Sequence, residues 1–199
     1  MNIVGRINAV LNKLNVRYLK ATRPNLKLGE GAKIDWNSKI DIGDNTLIVG
    51  SKTRIRSIKK NYHVGMPWCA TIFIDVKGAR VIIGENCRIV GTFIHAQKEI
   101  TIGNNTLLGT GVNIFDSNGH QVNSKDRTVG RDKPEAIKIG NNVWIGLNAT
   151  ILKGTTIGDN SIVTTGSVVK GHFPANVIIQ GNPAVIAGDL KIADEDSNT

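Results

Sequence analysis

The chain has 199 residues, 22 of them Gly, with aromatics at only 5%, a balance that argues against a helical bundle and for a structure with many tight turns. Apolar residues at 40% and charged residues at 21% suit a soluble folded domain, and two cysteines, Cys69 and Cys87, are too few for a disulfide framework. The formal net charge of +9 lies wholly in residues 1–60, which hold 13 Lys or Arg against 4 Asp or Glu. A basic end of this kind attracts phospholipid headgroups, nucleic acid or a phosphorylated cofactor.

No apolar run approaches the roughly 18 residues needed to span a bilayer. Arg6, Lys13 and Arg17 interrupt what would be the apolar region of a secretory leader. Both thiols are expected to be reduced and buried, in a protein that stays in the cytoplasm.

The first predicted element is a helix over residues 2–20. Ile3, Ile7, Val10, Leu14 and Tyr18 recur at spacings of three and four, forming one apolar face. Arg6, Lys13, Arg17 and Lys20 surround it, and Pro24 closes the segment. The face is expected to pack on the rest of the chain or on a neighbouring subunit. A membrane-surface helix is the alternative.

A six-residue repeat follows. Its clearest run is Ile139, Ile145, Ile151, Ile157, Val163 and Val169; others are Ile102, Leu108, Ile114, then Ile83 and Ile89, and earlier Leu28, Ile34, Ile40 and Ile42, Ile48. A small or β-branched residue stands four places after each apolar one, as in Val143, Ala149, Thr155, Ser161 and Ser167. Period six is neither helical nor alternating. It fits a coil with three flat faces, one short strand per face, whose neighbouring turns pair as parallel strands about 4.8 Å apart.

The phase fails twice, over residues 55–80 and over 115–136. The second break is polar from Asp116 to Pro134 and carries His120 at its start. A long excursion inside a regular solenoid is usually functional. An imidazole there suits a general base, with Asp116 near enough in sequence to orient it. An exposed loop residue is the plain alternative. Of the other histidines, His95 is expected to face inward or flank a corner, His172 to be a surface residue, and His63 is open. No two histidines are close in sequence, so no metal site is expected. Trp144 puts a bulky aromatic on the outer surface, in Val143-Trp144-Ile145-Gly146, where a subunit contact or a ligand wall is expected.

Several segments resemble the hexapeptide-repeat acyltransferases, specifically the sugar and polysaccharide O-acetyltransferases. They are Ile102-Gly103-Asn104-Asn105, the Asp116 to His120 stretch, Ile139 to Gly146, Ile151-Leu152-Lys153-Gly154, Thr165 to Val169 and Gly181-Asn182-Pro183-Ala184. The resemblance implies an all-β chain: a left-handed parallel β-helix over residues 25–188, with a basic amphipathic helix over 1–24, an extended loop over 115–136 and a flexible tail over 189–199. It also implies a homotrimer with sites between subunits, acetyl-CoA as co-substrate, a saccharide acceptor such as a surface polysaccharide or its precursor, and neither a metal nor nucleic acid as partner. His120 matches the general base, Trp144 the aromatic lining the site, and Leu147 and Thr165 positions along the pantetheine arm. Peripheral contact with the inner face of the membrane follows from the basic end.

The chain departs from the pattern in three places. Val169-Lys170-Gly171 displaces the basic residue that meets a CoA phosphate, leaving Lys170 as the candidate. Val185 follows Gly-Asn-Pro-Ala where a basic residue is common. Gly91-Thr92-Phe93-Ile94-His95 lacks the acceptor-contacting Asn of the galactoside group. N-acetylation of a nucleotide-linked amino sugar and a non-catalytic scaffold remain as alternatives.

Overall fold

A computed structural model describes residues 3–60 and 62–191. Helix α1 (Ile3–Thr22) is followed by strands that visit three sheets in rotation. Leu26–Leu28 joins a seven-stranded sheet, Lys33–Ile34 an eight-stranded sheet and Lys39–Asp41 a six-stranded sheet; Thr46–Val49 then returns to the first. Every third strand is a neighbour, and the pairings are parallel until the closing hairpin of Val177–Gly181 with Ala184–Asp189. This is a parallel β-helix whose strands run from Leu26 to Asp189, so the last strand enters the segment expected as tail. The expected tail falls, from residue 192 onward, outside the described residues.

The repeat becomes the core because each apolar residue stacks on its equivalent one turn away. Ile102 lies beside Ile139, Leu108 beside Ile145 and Ile114 beside Ile151. On the eight-stranded sheet the inward column runs Ile34, Ile55, Ile89, Leu108, Ile145, Val163, Ile179, and each member is buried. The small hydroxyl residues are buried too and satisfy carbonyls of the next turn. Thr106 Oγ1 donates to Gly140 O at 3.0 Å, and Thr155 Oγ1 to Val169 O at 3.2 Å. At one corner, Asn86, Asn105, Asn142 and Asn160 all adopt positive φ. Their amides form a ladder there, with Asn86 to Asn105 at 2.8 Å and Asn142 to Asn160 at 3.0 Å. Beside it Gly103 is required, since a Cβ would come 2.5 Å from the Gly140 carbonyl carbon.

Four expectations need correction. In Thr46–Val49 it is Leu47 and Val49 that face inward, while Ile48 faces out, because the strand alternates and the corner at Gly43 shifts the phase. The first break is shorter than 55–80: Arg54–Arg56 and Thr71–Ile74 are both paired strands. Ile94, not His95, points into the core, and His95 lies on the outer face. Lastly, of the two surfaces expected for the apolar face of α1, the β-helix of its own chain is not the one it packs on.

The helix attaches by its opposite side. Leu19 is buried, Asn12 Nδ2 donates to Asp35 at 3.1 Å, and Asn8 Oδ1 accepts from Trp36 Nε1 at 3.1 Å. Ile7 and Leu14 are left 52% and 54% exposed. Among the described residues no helix is long and apolar enough to cross a membrane.

Candidate functional site

The 116–136 excursion leaves the six-stranded sheet after Asn113–Phe115 and returns at Ile137–Ile139. Its base is closed by Glu135 N donating to Asp116 O at 2.8 Å and by Gly154 N donating to Glu135 O at 3.1 Å. Across the loop, Asn118 N donates to the Asp132 carboxylate at 3.1 Å. Three ion pairs, at two points, tie it to the sheet. Lys153 Nζ meets Asp132 at 2.6 Å and Glu135 at 3.2 Å; Arg131 Nη1 meets Asp75 at 2.9 Å. His95 supports the second tether: its Nε2 lies 2.9 Å from Asp75 and its ring stacks on Phe73, centroids 5.0 Å apart. His120 stands exposed on this anchored loop.

Asp116 does not orient His120. Its side chain is fully buried and turned inward, where its oxygens accept from the N–H groups of Gln97, Lys98 and Glu99 at 2.7–2.8 Å. The carboxylate closes the preceding turn of the coil instead.

The pairings of charge around the loop set two carboxyls low and one amine high. The hydrogen bond from Lys153 holds the Asp132 carboxyl below the usual carboxylate range, and the same contact raises the Lys153 ammonium. Burial pushes Asp75 up, but the hydrogen bonds of His95 and Arg131 outweigh it and leave the group lowered.

A second feature lies on the eight-stranded sheet. Trp144, Leu147 and Thr165 line one groove of about 850 Å³, with Leu107 and the backbone of Gly109. Trp144 is 51% exposed and stacks in register between Leu107 and Ile162. His63 and Tyr62, from the loop after Arg54–Arg56, form the far wall, Tyr62 under the Arg56 guanidinium at 4.8 Å. Lys170 is not brought to this groove. It follows Val168–Val169 on the six-stranded sheet and faces solvent. His120 is not brought to it either, since its loop springs from the six-stranded sheet.

Sequence reasoning missed the residues that continue the groove. Lys33, Arg54 and Arg88 occupy successive rungs of the same outward column that leads on to Leu107 and Trp144. Each directly precedes an inward Ile, in Lys33-Ile34, Arg54-Ile55 and Arg88-Ile89. That signal was available, but the loop between the second and third hides their register. Among the described residues, no group of three His, Cys, Asp or Glu side chains is placed to hold a metal ion.

The family model described as the hexapeptide repeat of succinyl-transferase matches residues 136–170, the span of the clearest run. Residues 136–170 thus carry a hexapeptide repeat, and the chain is similar to acetyltransferases. One relative of this repeat protein is the putative lipopolysaccharide biosynthesis O-acetyl transferase WbbJ of Escherichia coli K12. It is 34% identical over 123 residues, covering 57% of this chain and 63% of that one. A solved galactoside acetyltransferase in complex with coenzyme A is 33% identical, with a TM-score of 0.54, over 66% of this chain and 63% of its own. A structure of AntD, an N-acyltransferase from Bacillus cereus in complex with dTDP and coenzyme A, superposes over 88% of this chain and 89% of that one, with a TM-score of 0.70. At 16% identity it shows the shared fold alone. Across three curated relatives the match spans 58% to 63% of the relative's own length.

Proposed function

We propose that this chain transfers an acetyl group from acetyl-CoA to a hydroxyl of a saccharide, such as a surface polysaccharide or its precursor. The observation that carries the reading is the groove where Trp144, Leu147 and Thr165 meet. Its apolar Leu107 and Leu147 and its exposed indole suit a pantetheine arm, and it lies on a relative of CoA-binding enzymes. His120 is the general base: an imidazole nitrogen takes the acceptor's hydroxyl proton while that oxygen attacks the thioester carbonyl. As the carbon–sulfur bond breaks, the CoA thiolate leaves and recovers the proton from the imidazolium. Backbone N–H groups of an adjacent turn stabilise the oxyanion.

The groove and His120 belong to different faces of one β-helix. This supports a trimer in which the loop of one copy completes the groove of another. The exposed stripe Ile3, Ile7, Val10, Leu14, Tyr18 of α1, flanked by Arg6 and Lys20, supports contact with anionic lipid.

The test is thiol release from acetyl-CoA over a panel of sugars and amino sugars. His120→Ala is expected to lower the rate by roughly 10²–10⁴. An unchanged rate sinks the assignment, and no release with any acceptor leaves the scaffold reading. For the helix, Ile7→Ser with Leu14→Ser is expected to abolish flotation with anionic vesicles. Equal flotation rejects the lipid contact.

A further inference from the structure

Between α1 and the eight-stranded sheet lies a cleft of about 1010 Å³. Cations converge on it from opposite walls. Lys13 and Arg17 come from the helix, and Lys33, Arg54, Arg56 and Lys60 from the sheet side. None of its lining residues is acidic. Arg54 has a carboxylate partner, Asp35, at 3.6 Å. Among the described residues Lys13, Arg17, Lys33 and Arg88 form no ion pair.

The column Lys33, Arg54, Arg88 opposes sheet stability. Like charges side by side on neighbouring strands repel, and the rungs are only about 4.8 Å apart. Lys33 and Arg54 also join two cavities. Gly31, Lys33, Arg54 and Arg56 line both the cleft and the groove that ends at Trp144. From Arg54, the cation of the cleft nearest along the column, to Trp144 is three rungs, about 14 Å. That leaves room for a glycosyl residue between the cations and the aromatic.

Resting on the acetyl-transfer reading, the geometry points to a diphosphate-bearing glycosyl acceptor: its diphosphate is held in the cleft between α1 and the eight-stranded sheet, and its sugar reaches along the column to Trp144. Cations on two facing walls suit a compact polyvalent anion. The apolar Val4, Val16 and Ile58 of the cleft provide contact for whatever group the diphosphate carries on its other side. Two sources share this chemistry, a nucleoside diphosphate sugar and a lipid-diphosphate sugar.

The full chain, saturated with acetyl-CoA, is titrated with inorganic pyrophosphate by calorimetry. Binding is expected, weakened at least tenfold by Lys33→Glu and by Lys13→Glu with Arg17→Glu; Lys33→Ala serves as a milder second variant. No binding by the unaltered chain, or equal binding by the variants, overturns the proposal whether or not acetyl transfer is observed. Steady-state thiol release then compares a nucleoside diphosphate sugar with a short-chain polyprenyl diphosphate sugar. A rise in KM for one of them in the variants supports the site and names the source. A rise confined to the KM of acetyl-CoA assigns the cleft to the donor's phosphates and overturns it.

Discussion

Lys153 Nζ lies 2.6 Å from the Asp132 carboxylate, so a residue just beyond the Thr150–Leu152 strand holds the far limb of the loop that carries His120. The ammonium also pairs with the Glu135 carboxylate at 3.2 Å and donates to the Lys133 carbonyl at 3.1 Å, which leaves it committed to the loop. Lys153→Ala is expected to free that limb. Ion pairs of this kind contribute about 1 kcal/mol or less, roughly fivefold in the population of the anchored loop. The expected result is a severalfold fall in kcat with a smaller change in the KM for acetyl-CoA. A change in KM alone would show that the tether does not serve His120.

Asp116 is expected to act on stability and not on proton transfer. Asp116→Ala would leave three N–H groups without their acceptor, the buried one of Gln97 and the part-buried ones of Lys98 and Glu99. The cost of such orphaned donors is about 2 kcal/mol or more. That corresponds to a fall in Tm of about 4–8 °C for a chain of this size. A Tm that does not move, together with a displaced pH–rate profile, would restore a role beside His120.

The loop's anchoring should depend on pH in a defined window. Asp75 and Asp132 have lowered pKa values in the folded chain, so their contribution is complete above the unfolded carboxylate value near 3.9 and is lost as pH falls through the lower folded values. Lys153 is raised, so its share is complete below about 10.4 and is lost as pH rises through a higher value. NMR signals of residues 117–133 are expected to move toward random-coil positions below about pH 3.9, before those of the buried Ile column. Loop and core signals that change together would show that the tethers are not separate from global unfolding.

Trp144→Ala removes a side chain that touches solvent more than protein. Stability should stay within about 0.5 kcal/mol, as for other surface substitutions. The KM for acetyl-CoA should rise about tenfold, which equals about 1.4 kcal/mol of lost apolar contact. An unaltered KM, with weaker self-association in sedimentation, would make the indole a subunit contact instead.

Much of the architecture was legible because a period-six pattern admits few solutions. Ile139, Ile145 and Ile151 lie on three successive sheets simply because each is one face further round the coil. The loop that breaks this period was equally visible, from Phe115 to Ile137, and with it the position of His120. Reading failed where local alternation and corner geometry took over. Ile48 and His95 both sit one residue away from the inward position, since a strand of four residues alternates whatever the period around it.

The helix misled for a different reason. Its apolar stripe was read correctly as a stripe, but the surface it meets offers Asp35 and the Trp36 indole, and these select the asparagine side. Sequence alone therefore determined the coil, its interruptions and the excess of positive charge. Tertiary structure decided how that charge is used. Lys33, Arg54 and Arg88 are 21 and 34 residues apart along the chain, and only lateral strand pairing across a loop of variable length brings them into one column leading to Trp144.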